Sequence, residues 1–312
     1  MTILCKTLIA SLFSVLLLPV TALADEGGAS FWLPGQFGSF AAVQSDPGWS
    51  LAGTYFYSST DADKTFTRGK QITIGLDVRQ DLLFLTPTYV FAEPIWGAQA
   101  SISLTAVYGR VDVELPVNNV TLSSLHDNIV AFGDLYPQAA LRWNDGNGNY
   151  MVYAMGGIPA GKYDPSRLAS VGSNHWAADF GGAYTYLNME SGMECSVTAG
   201  LTYSWKNPDT DYRNGIDGHV DWAASYFLSD SWNVGLNGYF FHQFTGDSGS
   251  GAKLGDFKSR VNGVGPQINR FFPFGKSQGV ISLKGYREFG ADHRTEGWNS
   301  WLTLSVPLGA GD

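Results

Sequence analysis

From Glu194 to Trp205 the chain alternates without a break. Cys195, Val197, Ala199, Leu201, Tyr203 and Trp205 fall on one side, and Glu194, Ser196, Thr198, Gly200, Thr202 and Ser204 on the other. A period of two is the pleat of a β-strand, whose successive side chains point to opposite faces. The pattern recurs along most of the chain. Leu135, Pro137, Ala139, Leu141 and Trp143 oppose Asp134, Gln138 and Arg142, and Trp176, Ala178, Phe180, Tyr184 and Tyr186 oppose His175, Asp179 and Thr185. Further on, Val220, Trp222, Ala224, Tyr226 and Leu228 oppose His219, Asp221 and Ser225, and Trp232, Val234, Leu236 and Phe240 oppose Asn233, Asn237 and Gln243. Near the C-terminus Trp298, Leu302, Leu304, Val306 and Leu308 oppose Asn299, Thr303 and Ser305. The spacing predicts strands of roughly 9 to 14 residues, longer than the ~5–6 usual in globular sheets and near what a tilted strand needs to cross a bilayer.

The connections add a second regularity. Short turns, "AEPIWG", "NDGNGN", "NMESG", "LSDS" and "FPFGKSQ", take turns with long polar stretches: "SSTDADKTFTRG", residues 114–129, "GKYDPSRLASVGSN", "KNPDTDYRNGIDG", "TGDSGSGAKLGDF" and "REFGADHRTEG". That rhythm predicts an all-β fold: a closed antiparallel transmembrane β-barrel of about 12 strands, with short periplasmic turns and longer extracellular loops. In hydrocarbon every backbone N–H and C=O must pair within the protein, which leaves helices or closed barrels, and no helical period is present. Trp143, Trp176, Trp205, Trp232 and Trp298 stand near strand ends, where aromatic girdles meet lipid headgroups. A secreted β-sandwich predicts the same alternation, but not such long strands or a chain with only 15% charged residues. Two places blur the pattern: the parity slips near Gln80 and Asp81, and "MVYAMGG" is apolar on both faces.

The first 24 residues read as a secretory signal peptide, with Lys6, an apolar run and the small-x-small pattern of Ala22 and Ala24. Cys5 goes with it, leaving Cys195 and no intrachain disulfide. Residues 25–47 form a Gly-rich N-terminal extension, and 48–312 the outer-membrane barrel. A net charge of −9 argues against nucleic acid, whose phosphates need a basic footprint. The expected surroundings are outer-membrane lipid and lipopolysaccharide.

Parity supplies the lumen candidates. Asp134, Tyr136, Gln138, Arg142, Asp179, His219, Asp221, Asn237, Tyr239, Gln243, Lys284, Tyr286 and Glu288 fall on the inner face, where Arg142 and Lys284 would cross-brace the wall against the carboxylates. Met151, Tyr153 and Met155 form a thioether and phenol strip suited to an aromatic guest if they face inward; Tyr150, Val152 and Ala154 take that face otherwise. In the extension, Phe31, Trp32, Leu33, Pro34, Phe37 and Phe40 are apolar for residues outside a strand. They read either as a plug in the lumen or as a periplasmic leader.

Enzyme signatures are weak. "GDSGSG" at Gly246 sits in a Gly/Ser loop, "GKS" at Gly275 has Arg270 where a phosphate loop needs glycine, and the His residues at 126, 175, 219, 242 and 293 show no metal-ligand spacing. No metal, cofactor or catalytic residue is assigned. Asp209, Asp211 and Asp217 could hold calcium weakly, or form a solvated acidic loop.

Several segments carry a family resemblance: "GGASFWLPGQFGSFAAV", "PGWSL", "GVGPQINRFF" and, most specific, "ISLKGYREFGADHRTEGWNSWLTLSVPL". The sequence resembles the outer-membrane β-barrels grouped as involved in the meta-pathway of phenol degradation, over nearly all of the mature chain. The resemblance implies a channel of the Gram-negative outer membrane that passes small hydrophobic, above all aromatic, compounds by facilitated diffusion. A closed structural or adhesion barrel is the alternative. A lipid hydrolase is third, although no His has the Ser two places away and the following Asn-Gly that the twelve-stranded outer-membrane phospholipase needs. Barrels of this membrane commonly end on an aromatic residue, whereas this chain ends "VPLGAGD"; recognition by the barrel-assembly machinery then rests on Trp301, Leu304 and Leu308.

Overall fold

The structure, a computed structural model, describes residues 31–67, 71–115, 125–252 and 258–309. The signal peptide expected at 1–24 and the first part of the extension lie outside them. The chain builds twelve strands: β1 (Gly48–Thr67), β2 (Gln71–Val90), β3 (Gln99–Leu115), β4 (Leu125–Asp145), β5 (Gly148–Gly157), β6 (Ala177–Asn188), β7 (Met193–Ser204), β8 (Asp217–Ser229), β9 (Trp232–Gln243), β10 (Arg260–Phe274), β11 (Ser277–Asp292) and β12 (Glu296–Gly309). Each pairs antiparallel with its neighbours in sequence, and β12 returns to β1, with Phe56 opposite Trp301, so the sheet closes on itself and leaves no free edge.

β7 shows the logic in its plainest form. Cys195, Val197, Leu201 and Tyr203 are exposed on the outer surface, whereas Glu194, Ser196, Thr198, Thr202 and Ser204 are buried inside. Trp176, Trp205, Trp232 and Trp298 also point outward at strand ends, as headgroup girdles require. A surface of exposed Leu, Val, Phe and Trp would be a liability in water and is what a bilayer demands.

Three expectations need correction. The stretches 58–69 and 287–297 are mostly strand rather than loop, since β1 and β2 pair without interruption from Gly48 to Thr67 and only residues 293–295 separate β11 from β12. Of the stretch 114–129, residues 116–124 lie outside the described ones and the rest is strand. Polar composition marked water, not irregular backbone: antiparallel partners keep satisfying each other beyond the bilayer. Strands consequently run from 10 to 21 residues. Second, there is no parity slip at Gln80 and Asp81, which pair with Ser58 and Tyr57 in unbroken register. The pattern blurs there because Leu82 and Phe84 face inward while Leu83 and Leu85 face outward. Third, Trp301 is buried in the lumen, so of the three C-terminal residues only Leu304 and Leu308 face outward.

Candidate functional site: the lumen and the segment inside it

Residues 31–43 run inside the barrel, and residues 44–47 are exposed on the way to β1. Two carboxylates and one ammonium of the wall hold the inner stretch by its backbone. Asp221 accepts the Gly35 and Phe37 N–H groups at 3.2 and 3.0 Å. Lys284 Nζ donates to the carbonyls of Gly35, Gln36 and Phe37 at 2.7, 3.2 and 3.1 Å, and the Tyr286 hydroxyl donates to Gly35 as well, at 3.2 Å. One turn on, Glu194, fully buried, accepts the Ser39 hydroxyl at 2.6 Å and the Phe40 N–H at 3.1 Å, together with the hydroxyls of Ser196 and Ser225. A buried carboxylate with four donors is compensated in a way that one without partners is not.

Side chains reinforce the docking. The Trp32 indole, with no exposed surface, stacks on His219 with ring centroids 3.5 Å apart. Phe37 packs on Tyr153, Phe31 on Tyr136, and Phe40 between Phe227 and Phe271. Beneath Trp32, Asp179 accepts the hydroxyls of Tyr153 at 2.7 Å and Thr202 at 2.6 Å and pairs with His219 Nε2 at 3.0 Å. Gly35 makes the close approach possible. It adopts φ +84°, and a Cβ there would lie 2.8 Å from the Tyr286 ring and 3.1 Å from Tyr239. Gly35→Val should therefore loosen the segment by about 1–3 kcal/mol, read as a loss of roughly tenfold or more in hydrogen-exchange protection at the Phe37 and Phe40 amides.

All the parity candidates lie on the inner wall. Met151, Tyr153 and Met155 face inward too, with Tyr150 and Val152 exposed on the outside. The expected cross-bracing is not what their charges do. Lys284 holds the N-terminal segment, and Arg142 donates to Ser101 Oγ at 2.9 Å. Asp134 secures the connection 158–176 by accepting Gly161 N at 2.8 Å, Ser173 N at 2.8 Å and Ser173 Oγ at 2.6 Å. Gln243 donates to Asp247 at 2.7 Å, tying the "GDSGSG" loop to the wall. Glu288 accepts from Tyr239 at 2.7 Å and from Gly297 N at 2.9 Å, and Asn237 donates to the Gly285 carbonyl at 3.4 Å. The three aspartates proposed for calcium do not converge. Asp211 pairs with Lys206 at 2.7 Å, and Lys206 and then Ser250 hold its carboxyl well below the usual carboxylate range. Asp217 sits at the start of β8, buried in the wall. Among the described residues no cluster of potential metal ligands is found.

The lumen is not polar throughout. From Gly35 to Ala42 the segment is hydrogen-bonded to β5, β6, β7, β8, β10 and β11. Opposite lies an apolar wall from β12, β1, β2 and β3. There Trp301 meets Phe56 at 4.5 Å and Phe84 at 6.0 Å between ring centroids, and Leu82 and Val107 are buried in the same cluster. This aromatic pinch divides two cavities between wall and segment. Toward the tight-turn end, one of about 180 Å³ is lined by Thr54, Thr86, Thr105, Thr303, Gln138, Tyr136 and Met155, with Phe31, Leu33, Gln36 and Phe37 from the segment. Toward the loop end, one of about 60 Å³ is lined by Ser58, Thr60, Gln80, Glu288, Arg294 and Asn299, with Leu168 and Ser170 reaching in from 158–176.

Comparison with known proteins places this geometry. The family described as "Putative MetA-pathway of phenol degradation" matches residues 60–304. The chain belongs to that family. The phenol-degradation family match begins at Thr60, so the role of residues 31–47 rests on their contacts alone. Among solved structures the chain resembles the COG4313 outer membrane channel from Pseudomonas putida F1, with 15% identity and a TM-score of 0.67, covering 85% of this chain and 97% of that one. At that identity the likeness is one of fold, an outer-membrane barrel. A Pseudomonas aeruginosa FadL homologue also aligns, with 9% identity, a TM-score of 0.44 and coverage of 92% and 94%. No curated protein matches the sequence.

Proposed function

We propose that this member of the phenol-degradation family lies in the outer membrane of a Gram-negative bacterium, with its tight turns in the periplasm. It passes small hydrophobic, above all aromatic, compounds by facilitated diffusion along the β12–β1–β2–β3 wall. The observation that carries this reading is the pinch of Phe56, Phe84 and Trp301 between two cavities. A ring entering it exchanges water for aromatic faces, an arrangement worth roughly 0.5–1.5 kcal/mol per pair beyond burial. The remaining lumen, rich in carboxylates, is taken up by residues 31–43. No step needs covalent chemistry or a cofactor, and the concentration difference supplies the drive.

A closed structural barrel is the second reading, favoured by the segment that fills the polar half of the lumen. Uptake separates the two. A strain lacking the protein, offered phenols, aromatic acids and alkanes in turn, should lose uptake of the aromatic members severalfold. Uptake unchanged across the panel would overturn the transport reading.

A further inference from the structure

The cavity of about 180 Å³ toward the turn end has a composition more specific than a greasy passage needs. Its rings are Phe31 and Phe37 from the segment and Phe84, Tyr136 and Trp301 from the wall. Beside the wall rings, two places from Phe84 and from Trp301 and in register with Tyr136, stand four threonines on four different strands, bonded in two pairs: Thr54 to Thr303 at 2.9 Å, and Thr86 to Thr105 at 2.9 Å. Within each pair one hydroxyl donates to the other, which leaves each pair one proton and further lone pairs for a guest. Rings and paired hydroxyls lining one cavity match a molecule with one aromatic face and one hydroxyl.

Size and charge narrow the guest further. A cavity of ~150 Å³ holds one benzene ring, so this one is sized for a single ring with a small substituent rather than for two rings. Lys284 is the one cation among the lining residues. Its ammonium has three N–H groups, and three carbonyls of the segment already accept them. A carboxylate entering here would leave its hydration shell and find no cation with a donor to replace it.

We infer that this cavity is a binding site for an uncharged single-ring aromatic alcohol or phenol, selected over the corresponding carboxylate by the threonine pairs and by the commitment of Lys284 to the segment. The inference rests on the transport reading and adds to it a place where the solute pauses and is chosen.

Calorimetric titration of the full mature chain in detergent micelles, with protein-free micelles as the blank, tests it. The probes are benzyl alcohol, toluene, benzoate and 1-naphthalenemethanol at neutral pH. Benzyl alcohol should bind saturably at one site per chain, toluene severalfold more weakly, and benzoate and the two-ring alcohol at least tenfold more weakly. In the Thr54→Val/Thr303→Val double variant, nearly isosteric, benzyl alcohol should fall to the toluene level while toluene is unchanged. Benzoate binding as tightly as benzyl alcohol, or no saturable binding by the wild-type chain, overturns the site without recourse to any variant. Liposome flux keeps the two claims apart. Benzyl alcohol flux without saturable binding removes the site and leaves the channel; saturable binding without flux removes the channel.

Discussion

A chain shortened to begin at Asp46 should conduct ions across a planar bilayer about tenfold better than a chain that begins at Asp25. The reasoning starts from strand number. Eight strands enclose a space that side chains fill and sixteen to eighteen an aqueous bore, so twelve leave a lumen that something must occupy if it is to be narrow. Here the occupant is residues 31–43, and they cover the half of the wall that carries Asp221, Glu194 and Asp179. Without them those carboxylates would face water, and the exposed bore should be hydrated and prefer cations. Equal conductance for the two chains would mean that the lumen is closed by the wall itself, and the occupancy argument would fail.

The second large effect is expected from Lys284→Met in the intact chain. The substitution keeps the volume of the side chain and removes all three donors to Gly35, Gln36 and Phe37. Leaving buried acceptors without partners costs about 1–3 kcal/mol, and a loss of ~3 kcal/mol in docking shifts the docked-to-released ratio by about 100-fold. Single-channel recordings should then show brief openings of the size seen for the shortened chain, set on a closed baseline. The barrel should keep its thermal midpoint, because no strand pairing involves the ammonium. Recordings as quiet as those of the wild type would show that the Asp221 and Glu194 contacts hold the segment alone.

How much of this could be read from the residues differs from one part of the wall to another. Along β7 the inner residues are Glu, Ser, Thr and Gly and the outer ones are apolar, so a period of two names the face at once. On β1 and β2 it cannot. Phe56 lies between Tyr55 and Tyr57, and Phe84 between Leu83 and Leu85, so apolar residues stand on both faces and alternation carries no contrast. The pinch went unassigned for that reason, although an apolar residue at a lumen parity was a usable signal. Glu194 was also passed over. It lay in plain view on a face otherwise made of small hydroxyl side chains and glycine, and a lone carboxylate there calls for donors. Two of the four, from Ser39 and Phe40, proved to belong to a segment about 150 residues away, a pairing that no local pattern announces. The extension was visibly apolar for an unpaired stretch, but whether it entered the lumen depended on those same distant anchors.

The one-sided attachment of residues 35–42 shapes how the passage would work. With these tethers on the β5–β11 side, a solute would not need to dislodge a length of backbone; it would follow a seam whose opposite lip is made of rings. Turning a ring breaks no backbone hydrogen bond, whereas undocking the segment breaks those to Asp221, Glu194 and Lys284. Such a seam would ask for no energised partner to pull it open, and its throughput would depend on how readily Phe56, Phe84 and Trp301 swing apart.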